Sequence, residues 1–85
     1  MANLDEFSSQ VAANIQSVNE TMQQIDASKS TCDELTSSFA SLGNESIPGT
    51  LEQAKTKLEE AINQASAQVK NLEEVQNMIE AAKQA

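Results

Sequence analysis

Leu4, Val11, Val18, Ile25, Cys32 and Phe39 follow one another at intervals of seven. A strict seven-residue apolar spacing is the mark of a helix that buries one seam against another helix. A second run, Leu51, Leu58, Ala65, Leu72 and Ile79, does the same downstream. Between the runs lies Gly43-Asn44-Glu45-Ser46-Ile47-Pro48-Gly49, which holds both glycines and the one proline of the chain. The pattern predicts an all-α fold, an antiparallel two-helix hairpin in a single domain over residues 1–85. Its parts are a helix over about 4–42, a turn at 43–49 and a helix over about 50–83.

The local signals agree with this. Asn3 can cap the first helix, with Glu6 three residues later to close a capping box and Asp5 suited to the positive end of the dipole. Ile15 and Met22 follow Val11 and Val18 by four residues and widen the apolar stripe. From Ser28 to Ser38 the chain is rich in hydroxyl side chains that compete for the backbone, and Lys29 stands where Ile15 and Met22 stand upstream. A bend or weakened turn is expected near Ser28 to Thr31. Gly43 supplies a left-handed cap, and Pro48 stops a helix from running through the turn. Thr50 and Gln53 form a second capping box. Pairing about a turn at 43–49 sets Phe39 near Leu51 and Ala54, Leu35 near Leu58, Cys32 near Ile62, Ile25 near Val69, Met22 near Leu72 and Val18 near Val75.

A chain of 85 residues with one inward stripe per helix has a thin core, so a partner is expected to complete a bundle of four or more helices. Thirteen acidic residues against five Lys give a net charge of −8. Such a chain is repelled by phosphate backbones and anionic lipid surfaces, which argues against nucleic acid and membrane insertion. The start, Met1 to Glu6, has neither the basic residues nor the apolar stretch of a signal peptide. The expected location is the cytoplasm, with any export using a route that needs no cleavable leader. On the same ground Asn19-Glu20-Thr21 and Asn44-Glu45-Ser46 read as chance sequons rather than glycosylation sites. The lone Cys32 falls on the seam and reads as a small buried hydrophobe.

Chemistry is sparse. The chain has no His, no Cys/His spacing that suits zinc and no glycine-rich phosphate loop. The pairs Asp33-Glu34, Glu59-Glu60 and Glu73-Glu74 diverge by roughly 100 degrees on a helix and do not converge on a substrate. No catalytic, metal or cofactor site is expected, and the chain does not read as an enzyme. Protein binding remains. Ile15, Met22, Ile62 and Val69 lie at the edge of the narrow seam, where they either form a second stripe for a partner helix or widen the intramolecular contact. Met78 and, in the open half of the hairpin, Phe7 are assigned to the partner.

An acidic chain of this length, with two long helices around a Gly-containing turn, resembles the WXG-type small proteins of type VII secretion and the small helical partners of LXG toxins. Where the namesake family has Trp-x-Gly, this chain has Phe39-Ala40-Ser41-Leu42-Gly43. The family's export signals, Tyr-x-x-x-Asp/Glu or Phe-x-x-x-Asp, are missing, since there is no Tyr, Phe7 leads to Val11 and Phe39 leads to Gly43. The resemblance implies a targeting partner or chaperone that lays its apolar stripes against the helices of a cargo toxin. A second small helical protein would then carry the export signal. A self-assembling module, such as a homodimeric four-helix bundle or a secretion-needle-like subunit, is the alternative that needs no cargo.

Overall fold

A computed structural model describes residues 3–85. Two helices, α1 (Leu4–Ser41) and α2 (Ser46–Gln84), pack against each other as an antiparallel hairpin. At 1.5 Å per residue their lengths account for a rod of 65 × 16 × 15 Å.

α1 begins as its sequence dictates. The Asn3 Oδ1 accepts a hydrogen bond from the Glu6 backbone N–H at 2.8 Å, filling one of the donors that a helix start leaves open. It ends in a Schellman motif: Gly43 has φ of 79°, its N–H donates to the Ala40 carbonyl, and the Asn44 N–H donates to the Phe39 carbonyl. Asn44 also opens the next helix, because its Oδ1 accepts from the Ile47 N–H at 2.8 Å. One residue thus closes α1 and caps α2, and the turn is shorter than the seven residues from Gly43 to Gly49 suggested.

That economy corrects three expectations. Pro48 and Gly49 lie inside α2, because the first turn of a helix has free N–H positions where proline loses nothing. Thr50 is therefore no cap, and its hydroxyl donates back to the Ser46 carbonyl one turn earlier. Moving the turn toward α1 slides the two helices relative to each other. The Cys32 Sγ donates to the Leu51 carbonyl, and Ser8 meets Gln76. Cys32 does not face Ile62, and Leu35, expected against Leu58, is 43% exposed.

The stretch Ser28 to Ser38 remains continuous helix, with no interruption near Ser28 to Thr31. The hydroxyls of Thr31 and Thr36 donate to the carbonyls of Ala27 and Cys32. They add to backbone bonds already made instead of competing with them. Lys29 keeps its seam position by extending its ammonium outward to Glu59, 3.8 Å away.

The seam has two columns on each helix. On α1, Leu4, Val11, Val18, Ile25, Cys32 and Phe39 alternate with Ser8, Ile15, Met22, Lys29 and Thr36. On α2, Leu51, Leu58, Ala65, Leu72 and Ile79 alternate with Lys55, Ile62, Val69, Gln76 and Lys83. Among the described residues four are buried, Val11, Cys32, Ala65 and Ile79, and no side chain is sealed off completely. The polar seam members are all partnered: Ser8 with Gln76, Lys29 with Glu59, Lys55 with Asp33 at 2.9 Å and Lys83 with Asp5 at 3.0 Å. Polar groups of this kind add little stability but fix which residues stand opposite each other.

Candidate protein-binding surface

Two long faces flank the seam, and the sequence has sorted charge between them. One face carries Asp5, Asp26 and Asp33 from α1 with Glu52, Glu59, Glu73 and Glu80 from α2. The seam lysines Lys29, Lys55 and Lys83 reach toward this side to make their ion pairs. In Lys55 the hydrogen bond to Asp33, followed by the charge of the same carboxylate, raises the ammonium pKa above its ordinary 10.5. Lys83 is raised likewise, first by its hydrogen bond to Asp5.

The opposite face has no acid. Its inner columns are Phe7, Asn14, Thr21, Ser28 and Leu35 on α1, with Leu42 just past its end, and Ile47, Ala54, Ala61, Gln68, Val75 and Ala82 on α2. The columns just outside them, Gln10, Ser17, Gln24, Thr31 and Ser38 on α1 and Thr50, Lys57, Gln64, Asn71 and Met78 on α2, add one charge, Lys57. Its ammonium is bridged to Glu60 at 3.4 Å. We call this the neutral face. In an antiparallel pair the corresponding flanking columns of both helices fall on one side, which is why a seven-residue spacing in the chain becomes a continuous surface.

Three shallow grooves mark the neutral face, one of them near the turn and lined by Thr50, Gln53, Ala54, Thr56, Lys57 and Glu60. Near the open end, Leu4, Phe7, Val75, Met78, Ile79 and Ala82 form an almost wholly apolar one. Next to it, Asn14, Ser17, Val18, Gln68, Asn71 and Leu72 form a more polar one. At the turn end, Leu35, Leu42 and Ile47 stand exposed, Leu42 at 80%. Large apolar side chains therefore occupy both ends of the face, with small or polar ones between. The acidic face has its own shallow groove, lined by Asn19, Met22, Gln23, Asp26 and Ile62.

The six residues expected to bind a partner divide accordingly. Phe7 (46% exposed) and Met78 (69%) come together at the open end of the neutral face. Ile15, Met22, Ile62 and Val69 are half-buried members of the seam, although Met22 and Ile62 also reach the groove on the acidic side. Of the turn residues, Gly43 holds the left-handed position, while Pro48 and Gly49 belong to α2. The neutral face as a whole was not found by following apolar residues alone. Its signal is a column read at sevens for the charges it lacks.

Among the described residues, no group of three His, Cys, Asp or Glu side chains converges to hold a metal ion. No helix among them is long and apolar enough to cross a membrane. The chain matches no protein-family model, no characterised protein and no solved structure.

Proposed function

We propose that this chain is a non-enzymatic adaptor, a targeting partner or chaperone that binds the helices of another protein. The observation that carries the reading is unspent surface. The chain exposes 6090 Å², whereas a compact monomer of 9.1 kDa exposes about 4,900 Å². The excess, about 1,200 Å², is larger than the roughly 800 Å² that each side of a standard interface buries. Exposed Phe7, Met78, Leu35, Leu42 and Ile47 lie within that surface, and large apolar side chains held in water are what a partner's helices would cover.

The resemblance to the WXG-type proteins and the partners of LXG toxins supplies the setting. In that reading the partner is the helical region of a cargo toxin, bound in the cytoplasm and delivered to a type VII secretion route. A second small helical protein contributes the export signal, whose Tyr-x-x-x-Asp/Glu or Phe-x-x-x-Asp pattern does not occur in residues 1–85. Co-expression with the products of adjacent genes, followed by purification and light scattering, tests it. A stable complex with one of them at defined stoichiometry is expected. A homodimer or filament that excludes every such product would instead make the chain a self-assembling structural module.

A further inference from the structure

Resting on the adaptor reading, we infer that the partner docks on the neutral face. Its helices present an uncharged stripe with large apolar side chains at mid-length, flanked by Lys or Arg. Three observations fix this choice.

The first is charge. The neutral face is free of acid, but its rims are not. Glu6, Glu20 and Glu34 edge it along α1, and Glu60 and Glu74 edge it along α2. No Lys occupies either rim column, so a second copy laid on this face sets acid against acid along both edges. A partner with basic flanks meets five carboxylates, of which only Glu60 is bridged to a lysine, Lys57.

The second is shape. At mid-length the face is floored by Thr21 and Ser28 beside Ala54 and Ala61, while the large side chains stand at the ends. A pairing of two copies in register, parallel or antiparallel, brings this small-residue middle onto itself and leaves it underfilled. Bulky side chains at the centre of a different chain fill it.

The third is extent. The face runs the length of a 65 Å rod and is continuous from the open end to the turn. That suits long helices rather than a short peptide.

Two synthetic helices of about 35 residues, roughly 52 Å long, test the inference. Both carry Leu and Ile at mid-length; one is flanked by Lys and the other by Glu. Fluorescence anisotropy against the full chain is expected to show the Lys-flanked helix binding at least about tenfold more tightly, with the gap closing as salt rises. In an isotope-labelled sample, amide shifts should move at Asn14, Thr21, Gln68 and Asn71 and stay still at Asn19, Asp26 and Glu73. Thr21→Glu with Gln68→Glu, both at exposed positions, should weaken that binding about tenfold with helicity unchanged. Shifts confined to the acidic face, equal affinity for the two helices, or no binding would overturn the inference and leave the adaptor reading to the co-expression test. A homodimer that neither helix dissociates, with its protected amides on the neutral face, would overturn both.

Discussion

The side chains of Ser8 and Gln76, 68 residues apart in sequence, tie the open end of the hairpin together. The Ser8 hydroxyl donates to the Gln76 Oε1 at 3.0 Å, and the Gln76 Nε2 donates to the Ser8 carbonyl at 3.0 Å. Both side chains are half-buried members of the seam, in a layer otherwise made of apolar contacts. The pair sits far from the turn, where a slip of either helix would accumulate, and it is made in one register only. It therefore selects the alignment more than it strengthens it.

Removing one partner should cost more than removing both. Gln76→Ala leaves the Ser8 hydroxyl half-buried and unpaired, and is expected to destabilise the chain by about 1 kcal/mol in urea unfolding. The double variant Ser8→Ala with Gln76→Leu replaces the polar layer by an apolar one and should recover that loss or exceed it. Amide exchange near the open end would then become less uniform as alternative registers are admitted. A double variant no more stable than Gln76→Ala would show that the pair contributes strength rather than alignment.

Ile79 and Met78 are neighbours in the chain with opposite surroundings, 3% and 69% exposed. Ile79→Ala deletes a seam side chain and should cost about 3 kcal/mol, enough to unfold a large share of so thin a hairpin, as far-ultraviolet circular dichroism would record. Met78→Ala should change stability by less than about 0.5 kcal/mol, and its effect should appear only when a partner is titrated in.

The two helices and their antiparallel arrangement were legible because seven-residue columns and Gly43 each have a single physical meaning. The register was not. It depends on where α2 begins, and Pro48 reads as a stop signal until Asn44 is seen to cap three residues upstream of Ile47. A proline in a first turn and a proline after a last turn look alike in sequence, and choosing wrongly misplaced Cys32, expected at Ile62 and found at Leu51. Phe7 and Met78 were reachable as apolar residues without seam neighbours. The neutral face was hidden because most of it is Ser, Thr, Asn, Gln and Ala, which carry meaning there only by contrast with the acids on the other side.

Alkali should loosen the hairpin through its seam lysines. In the folded chain Lys55 and Lys83 hold their protons above the ordinary value of 10.5, principally through hydrogen bonds to Asp33 and Asp5. A raised folded pKa means that this contribution is complete below 10.5 and is lost as pH rises beyond it through the folded values. Both ammonium groups lie near solvent, so the effect should be small and weaker in high salt. Denaturation curves for the wild type and for Lys55→Met, collected below and above that range, isolate it. The wild type should lose more stability than the variant, and any other group titrating in alkali cancels in the difference. Parallel losses would mean that the Lys55–Asp33 bridge contributes nothing in solution.

The two glycines make opposite predictions, and together they test the turn. Gly43 has φ of 79°, and a Cβ added there meets no atom within 4 Å. The cost of Gly43→Ala is therefore purely conformational, about 1–2 kcal/mol for placing an L side chain in the left-handed region. Gly49 also has open space around an added Cβ, but it lies within α2 and its φ is ordinary. There glycine only adds disorder to the unfolded chain and weakens the helix, so Gly49→Ala should stabilise by about 0.5–1 kcal/mol. Urea unfolding of the two variants separates a turn closed at Gly43 and Asn44 from one extending to Gly49. Were Gly49→Ala destabilising as well, α2 would begin beyond it, and the register that places Cys32 at Leu51 would be wrong.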